Sequence, residues 1–232
     1  MQSELQRIIK DFALYLKYQE ALGIEWVPAS EVKEIVKKLG TPKLPHTQLE
    51  EIRKELGECN RCSLHLTRKN IVFGAGNPNA SLVLVGEAPG AEEDLAGEPF
   101  VGEAGQLLNR ILNAINLTRQ EVYICNVIKC RPPKNRDPKP EEIKACFPFL
   151  KKQLEVIRPR IICALGKFAA QTLLETSEII SRLRGKVFEF QKIKVVPTFH
   201  PASLLRNPQW KPAVWKDIQL IQKLLEEENV QN

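Results

Sequence analysis

Four of the six cysteines are spaced so that they could share a metal site. Cys59 and Cys62 form a Cys-x-x-Cys pair, while Cys130 and Cys146 lie 16 positions apart. Four thiolates from a turn, a loop and a helix can enclose a tetrahedral Zn²⁺ ion or a [4Fe–4S] cube. Structural zinc sites more often use two tight pairs, and only one pair here is tight, so the pattern favours a cluster. Four unrelated thiols are the alternative.

Three polar side chains follow apolar runs that are typical of strands. Glu87 lies in the turn Gly86-Glu87-Ala88-Pro89-Gly90, Asn126 ends the second run, and His200 follows the last one. A carboxylate at such a position suits acid–base chemistry. An Asn amide presents a donor beside an acceptor, which matches the edge of an amide or imide base. A simple turn, a backbone cap or a structural histidine is the alternative for each.

The alternation of strands and helices is what would bring these side chains together. Apolar runs predict strands at Ser81–Val85, Val122–Ile128, Ile161–Leu165 and Ile193–Val196, and amphipathic stretches predict helices at Gly105–Asn116, Glu141–Ile157, Lys167–Glu175 and Trp210–Glu227. This order predicts an α/β fold with three α/β/α layers around a central, mostly parallel four-stranded sheet. Ligands of such sheets bind beyond the carboxyl ends of the strands.

Three loops near these strand ends are suited to a nucleic acid. Phe100 lies in a glycine-bounded loop and is either a core residue or a platform on which a base stacks. The rigid loop Arg131–Arg136 is basic, as backbone phosphates require. The segment Ser203–Pro208 would suit insertion at a DNA groove, because an apolar wedge beside a cation can prop a duplex open.

The composition sets outer limits on the function. The net charge of +6 and a pI of about 9.0 favour a polyanionic partner. The charged N-terminus has no apolar signal-peptide core, and no run approaches the ~20 apolar residues of a membrane span, so we expect an intracellular, cytoplasmic protein. In that compartment closely spaced cysteines are more often metal ligands than disulfides. Cys125 and Cys163, inside strand runs, are expected to be buried apolar residues.

Residues 1–45 have a different pattern from the rest of the chain. Apolar residues recur at helical intervals, a second short helix fits Ala29–Leu39, and a proline- and glycine-containing linker follows. We therefore expect a helical N-terminal extension over residues 1–45 and a main domain over residues 46–232. The extension has no chemical role that its residues indicate.

Taken together, these features resemble the family 4 uracil-DNA glycosylases, the iron–sulfur branch of the uracil-DNA glycosylase superfamily. The resemblance covers the chain from about Cys59 to Asp217. The matching motifs are Cys59-x-x-Cys62, Gly86-Glu87-Ala88-Pro89-Gly90, Gly97-Glu98-Pro99-Phe100-Val101-Gly102, Asn126-x-x-Lys129-Cys130-Arg131-Pro132-Pro133, Cys146, Arg184-Gly185 and His200-Pro201-Ala202. Each motif alone is a weak signal, whereas all of them in this order and spacing are highly specific.

The resemblance implies a prokaryotic enzyme of base excision repair that hydrolyses the N-glycosidic bond of uracil in single- or double-stranded DNA, working as a monomer. It implies a structural [4Fe–4S] cluster held by Cys59, Cys62, Cys130 and Cys146. Phe100 would stack on the flipped uracil, Asn126 would bind its amide edge, and His200 would lie near uracil O2.

The remaining site residues implied by the resemblance surround the reacting bond. Glu87 and Glu93 lie in the motif that handles the attacking water, and the sequence does not choose between them. The backbone N–H groups from Gly86 to Ala88 are candidate donors to the leaving base. The loop after Gly102 lacks the basic, histidine-containing insertion by which one subgroup traps DNA covalently. A metal-stapled DNA-binding protein without catalysis is the alternative function.

Overall fold

The structure is a computed structural model, and it describes residues 44–229. The expected N-terminal extension therefore lies, apart from its last two residues, outside the described residues, and the division of the chain at residue 45 stays a prediction. None of the described helices is long and apolar enough to cross a membrane.

Six strands and eight α-helices make up the described part of the chain. The strands are β1 (Ala75–Gly76), β2 (Leu82–Gly86), β3 (Tyr123–Asn126), β4 (Ile161–Leu165), β5 (Phe188–Phe190) and β6 (Ile193–Thr198). The helices are α1 (Pro45–Leu56), α2 (Ala91–Ala96), α3 (Glu103–Asn113), α4 (Pro140–Ile157), α5 (Lys167–Leu174), α6 (Ile180–Leu183), α7 (Pro201–Arg206) and α8 (Lys211–Asn229).

The strands form one mixed sheet in the order β1-β3-β2-β4-β6-β5. The four predicted strands are its parallel centre, and β1 and β5 add an antiparallel strand at each edge. The predicted α/β class is therefore confirmed, but the sheet has six strands rather than four. The edge strands are only two and three residues long, too short for an apolar run to indicate them.

Alternate residues of the parallel strands pack against helices on opposite faces of the sheet. Val83 and Val85 point to a core built with α1, α4 and α5, whereas Leu82 and Leu84 point to a second core built with α3, α7 and α8. This two-residue period on a sheet covered on both faces is the three-layer arrangement that the sequence predicted. Cys125 and Cys163 are fully buried in these cores, as expected.

The register of the sheet determines which chain segments meet at its carboxyl edge. Gly86 and Asn126 are directly paired at the ends of β2 and β3, and Leu165 pairs with Thr198 at the ends of β4 and β6. The segments that leave these four neighbouring strands therefore converge, although 112 positions of sequence separate Gly86 from Thr198. The candidate residues of the sequence lie on these segments.

A buried acidic residue fixes the end of β6, two positions before His200. Asp217 of α8 is 1% exposed and accepts hydrogen bonds from Thr198 Oγ1 at 2.6 Å and from Arg184 Nε at 3.0 Å. Arg184 also donates to the carbonyl of Ala213 on α8. The network ties α8 and the turn after α6 to the strand that delivers His200.

We expect Asp217→Ala to lower the free energy of unfolding by about 3–5 kcal/mol, because it leaves the guanidinium of Arg184 and the hydroxyl of Thr198 without their acceptor. Urea unfolding of the full chain measures the loss. Glu55→Ala is the matched control, since the Glu55–Lys152 pair is half exposed and is expected to contribute about 0–1 kcal/mol. Similar losses in the two variants would contradict a stabilising role of the buried network.

Candidate active site

A cavity of about 310 Å³ lies beyond the carboxyl ends of the parallel strands. Six of the residues predicted from the sequence line it: Glu87, Ala88, Glu93, Phe100, Asn126 and His200. The remaining lining residues come from the same strand-to-helix segments and are Pro89, Gly90, Ala104, Pro132, Asn135, Arg136, Asp137, Ala202, Ser203 and Arg206. The cavity is large enough for a single base with part of its sugar.

Gly86 lies beneath the cavity rather than in its wall. A Cβ atom at this position would collide with Asn126 Oδ1 and would lie 2.7 Å from Cζ of Phe100. Only glycine allows these two side chains to lie against the end of β2. The residue predicted to offer a backbone N–H to the substrate therefore also makes room for two neighbours in the site.

Asn126 carries a buried polar atom that has no partner. Its residue is 1% exposed, and its Oδ1 is the one buried side-chain oxygen or nitrogen of the described residues that makes no hydrogen bond. Buried polar groups are nearly always paired, because an unpaired one costs about 1–3 kcal/mol. An unpaired acceptor on a cavity wall indicates a ligand that brings an N–H or O–H donor.

His200 is held in one tautomer by the helix that follows it. Its Nδ1 accepts the backbone N–H of Ala202 at 3.1 Å, which caps the N-terminus of α7. The pKa of His200 is lowered to about 4, mainly by burial and also by the positive charge of Arg206, while the negative charge of Glu93 acts in the opposite direction. The ring is therefore neutral near pH 7, and since Nδ1 is an acceptor, its proton is on Nε2. His200 is thus a neutral hydrogen-bond donor.

Phe100 lies in a loop whose backbone is hydrogen-bonded by Arg119, a residue outside the Gly97–Gly102 motif. Its φ of 54° is in the left-handed region, and Arg119 donates to the carbonyls of Phe100 at 2.9 Å and of Pro99 at 2.7 Å. Gly105 permits the close approach, because a Cβ there would clash with the Phe100 carbonyl. The phenyl ring stacks on the His200 ring, with centroids 5.4 Å apart.

Glu93 is committed to holding two loops together. Its Oε1 accepts the N–H groups of Val101 at 2.9 Å and Gly102 at 3.0 Å, while its Oε2 accepts the N–H of Gly90 at 3.0 Å. The buried carboxylate thus joins the turn after β2 to the loop that carries Phe100. Both of its oxygens are occupied before any substrate arrives.

Glu87 differs from Glu93 in its surroundings. Within residues 44–229 no hydrogen bond reaches its carboxylate. The pKa of the Glu87 carboxyl is raised to about 7, mainly by burial and also by the negative charge of Asp137, whereas Lys167 and Arg206 act in the opposite direction. A half-buried carboxyl with a pKa near neutrality in a cavity wall is suited to proton transfer.

The four candidate ligand cysteines meet around a second, much smaller cavity. Cys59, Cys62, Cys130 and Cys146 all line it. Arg68 Nη1 donates to Cys130 Sγ at 3.4 Å, and the backbone N–H of Lys129 donates to Cys146 Sγ at 3.2 Å. These N–H···S bonds lower the pKa of the two thiols, but burial outweighs them and raises the pKa of both Cys130 and Cys146.

Zinc ions and iron–sulfur clusters place different demands on four cysteine ligands. No set of three or more Cys, His, Asp or Glu side chains among the described residues is arranged to hold a single metal ion. A zinc ion would require four ligands around one centre, whereas a [4Fe–4S] cube binds each thiolate at its own iron. Four thiols that line one cavity are chemically suited to a [4Fe–4S] cube, which takes one thiolate at each iron.

Several residues that shape the cavity have no signal in the sequence. Arg119 lies 19 positions from the Phe100 carbonyl that it holds, and only the folded chain brings them together. Asp137, a cavity residue, ends a basic loop that suggests phosphate binding instead. In the segment proposed to enter DNA, Leu204 is a core residue at 1% exposure, while Leu205 is 40% exposed. Only Leu205 is therefore available as a wedge.

Comparison with known protein families identifies the superfamily to which this fold and cavity belong. Residues 73–219, more than half of the chain, match the family model described as the uracil DNA glycosylase superfamily. The chain belongs to the uracil-DNA glycosylase superfamily.

Similar proteins narrow the assignment within it. The chain is 48% identical over 184 residues to the type-4 uracil-DNA glycosylase of Archaeoglobus fulgidus, a match that covers 76% of this chain and 92% of that protein. It is 44% identical over 184 residues to the type-4 uracil-DNA glycosylase of Thermotoga maritima, covering 78% and 96%. The one from Saccharolobus solfataricus is 44% identical over 186 residues, covering 76% and 86%. Within the superfamily, the chain is a member of the type-4 family.

Proposed function

We propose that this protein is a monofunctional DNA repair glycosylase that hydrolyses the bond between uracil and deoxyribose, as in base excision repair. The observation that carries the proposal is the unpaired Oδ1 of Asn126, buried in a cavity that Phe100 and His200 also line. The imide N–H of uracil is a donor of the kind that this atom lacks. The type-4 relatives, all named as uracil-DNA glycosylases, support the same substrate.

Base selection follows from the hydrogen-bonding groups on the pocket wall. Uracil presents an N–H at its N3 position, which pairs with Asn126 Oδ1, between two carbonyl acceptors. Cytosine has an unprotonated N3 and would place an acceptor against an acceptor, leaving both buried and unpaired. Phe100 offers its ring as a stacking surface, which is worth about 1–3 kcal/mol per base. The target nucleotide must be extruded from the stack to reach these groups.

The leaving base is stabilised by His200. As the bond between N1 of uracil and C1′ lengthens, its electron pair moves onto the base, and O2 gains negative charge while the sugar becomes positive. A neutral histidine that donates from Nε2 can meet this charge without first releasing or accepting a proton. Water then adds to C1′ and passes one proton to a carboxylate. The departed uracil anion takes up a proton and the carboxyl releases one, so that free uracil and an abasic sugar remain and the carboxylate is regenerated.

Of the two glutamates, Glu87 is proposed to handle this water and Glu93 to position the loops. The support is that Glu93 already accepts three backbone N–H groups, whereas the Glu87 carboxyl borders the cavity with a pKa raised by burial to about 7. A carboxylate that must orient water and accept its proton needs free lone pairs and a pKa near the working pH. Glu87 meets both requirements.

The role of Glu87 predicts a pH dependence. Because only its ionised form accepts a proton, kcat/KM is expected to rise with pH to a plateau, with a midpoint near its pKa of about 7 and a tenfold fall per pH unit below it. Steady-state rates across the pH range, with the full chain, measure this. Glu87→Gln should be slower and lose the midpoint, whereas the exposed neighbour Glu92→Gln should keep it. A wild-type profile that is flat through neutral pH would exclude the role.

The rim of the cavity offers contacts for DNA on either side of the flipped nucleotide. Arg206 lines the cavity, Lys167 acts electrostatically on Glu87 in its wall, and Lys134 lies in the chain segment between two lining residues; all three are exposed cations, as phosphates require. Leu205 precedes Arg206 and is the exposed apolar residue that would fill the gap in the stack. We propose a monomer that acts on single- or double-stranded DNA in the cytoplasm of a prokaryotic cell.

We further propose that Cys59, Cys62, Cys130 and Cys146 hold a [4Fe–4S] cluster. Its support is the cavity that the four cysteines share and the N–H donors at two of the sulfurs. Bound there, the cluster would supply a covalent tie between three chain segments rather than a step of the reaction.

Protein purified without oxygen should absorb visible light and contain iron and sulfide. Cys59→Ser should lose both, and the buried Cys163→Ser should not. A colourless protein with stoichiometric zinc would refute the cluster.

The proposed activity is tested with an oligonucleotide that carries one uracil. The full chain should leave a site that breaks only on alkali treatment, in both single-stranded and duplex DNA, because a monofunctional glycosylase does not cut the strand itself. Salt-sensitive binding of either DNA without alkali-labile sites would instead support a non-catalytic DNA-binding protein and overturn the proposal.

A further inference from the structure

Lys129 is a buried cation with no carboxylate partner among the described residues, although its charge acts on the Cys125 and Cys146 sulfurs. It is 0% exposed and is the one lysine or arginine buried within residues 44–229. Its Nζ donates to the backbone carbonyl of Asn126 at 2.8 Å and to Gln153 Oε1 at 2.7 Å. Both acceptors are neutral, and in that part of the chain no carboxylate forms an ion pair with this ammonium.

Such a group is expensive to bury, and packing alone does not require it. An ammonium that leaves water without a carboxylate partner loses more solvation than two neutral hydrogen bonds return, and an apolar side chain of similar volume would pack at lower cost. Because burying the ammonium costs free energy, we infer that it is retained to hold its two acceptors in position. One of these acceptors belongs to Asn126, whose side chain faces the base cavity.

The second acceptor is itself rigidly held. Gln153 Nε2 donates to the carbonyl of Phe73 at 3.0 Å and to the hydroxyl of Tyr123 at 3.2 Å, and Gln153 lies on the 18-residue helix α4. Helix α4 therefore fixes the position of the Lys129 ammonium, and the ammonium in turn fixes the position of the Asn126 carbonyl.

The main chain of Lys129 is hydrogen-bonded to one of the four candidate ligand cysteines, Cys59, Cys62, Cys130 and Cys146, which we call the cysteine set. Its N–H donates to Cys146 Sγ at 3.2 Å, and its carbonyl accepts the N–H of Val72 at 2.8 Å. The next residue is Cys130, another of the four cysteines. The five residues from Asn126 to Cys130 thus join the base cavity to the cysteine set. Lys129 makes a side-chain hydrogen bond to Asn126 at the cavity and a backbone hydrogen bond to Cys146 of the cysteine set.

We propose that Lys129 is a positioning residue that sets the orientation of Asn126 in the base cavity and couples it to the cysteine set. It does not touch the substrate, and it acts through the Asn126 backbone. The inference rests on the proposed function, since it assigns Asn126 the task of binding uracil.

A double-mutant cycle on uracil excision tests this. Lys129→Met, which keeps length and loses the charge and donors, should lower kcat/KM about 10- to 100-fold, the usual effect of losing a hydrogen bond from a charged group. If Lys129 acts through Asn126, the variant Asn126→Ala with Lys129→Met should be as active as Asn126→Ala alone, within about twofold. If Lys129 acted independently of Asn126, the two losses would multiply, and that result would overturn the inference.

Tyr123→Phe is the matched control. It removes one hydrogen bond of Gln153 in the same buried network and leaves Lys129 with both acceptors, so kcat/KM should stay within about twofold of wild type. A loss as large as that of Lys129→Met would show general sensitivity of this core and contradict the specific role. Circular dichroism verifies that each variant is folded.

A second variant keeps the inference testable if Lys129→Met does not fold. Gln153→Leu leaves the ammonium with Asn126 as its one acceptor, and its loss of kcat/KM should likewise vanish in an Asn126→Ala background; a loss that persists there counts against the inference. Wild-type protein that releases no uracil refutes the proposed function itself, whereas active wild type with multiplied losses refutes only the role of Lys129.

Discussion

Replacing His200 with alanine is expected to slow uracil release about 100- to 1,000-fold. The histidine is neutral, because its pKa is lowered by burial to about 4, and its Nδ1 is occupied by the Ala202 N–H, so Nε2 is the donor left for the departing base. Removing one donor to a developing oxyanion typically costs a factor of about 10²–10³ in rate. Single-turnover kinetics with a uracil-containing duplex measure the chemical step free of product release.

The same histidine caps α7, and a second variant separates the two roles. Asparagine is among the best N-cap residues, so His200→Asn keeps the cap of α7 but has no group that reaches the position of Nε2. We expect His200→Asn to be about as slow as His200→Ala and more stable to heat. Recovery of most of the wild-type rate by asparagine would mean that His200 serves the helix rather than the leaving base.

The low pKa of His200 has a consequence for this comparison. Above pH 5 the ring is already neutral, so the factor lost in His200→Ala is expected to be the same from about pH 6 to pH 9. A factor that grew steeply on acidification through pH 6–7 would show that the charged imidazolium is the active form, which contradicts the geometry of the cap.

Asn126→Ala is expected to lower kcat/KM for uracil about 100-fold, equivalent to about 2.7 kcal/mol. The alanine variant cannot accept the imide N–H, which is then buried without a partner. The free protein loses an unpaired Oδ1, so its free energy of unfolding should change by no more than about 1 kcal/mol. An activity loss without a stability loss identifies a group that works on the substrate.

The control for this variant is its neighbour on the same strand. Cys125→Ala also shortens a buried side chain of β3, but Cys125 faces the opposite core and not the cavity. It should retain nearly full activity despite a cost in stability. If Asn126→Ala kept the wild-type preference for uracil over cytosine, Asn126 would not be the residue that selects the base.

The location of the site could be predicted from the sequence because buried parallel strands appear as short, continuous apolar runs. Four apolar runs marked β2, β3, β4 and β6, and the polar residues that follow them had to meet at one edge of the sheet. Glu87, Asn126 and His200 were found in this way, without knowledge of the register. The edge strands β1 and β5 were missed, because two or three residues carry no periodic pattern.

The division of labour inside the site could not be predicted in the same way. Glu87 and Glu93 are both carboxylates near the same turn, and only the three N–H groups that converge on Glu93 distinguish them. Lysine is a surface residue by default, so nothing in the sequence indicates that Lys129 is buried. Leu204 and Leu205 are adjacent, and helix α7 alone decides which of them faces the core.

The most direct test of the account is the rate of base release from two duplexes that differ at one position, uracil in one and cytosine in the other. The account predicts that the full chain releases free uracil and that cytosine stays at the level of a no-enzyme control, because only uracil brings a donor to Asn126 Oδ1. Release of the two bases at similar rates, or tight binding of both duplexes with release of neither, would contradict it.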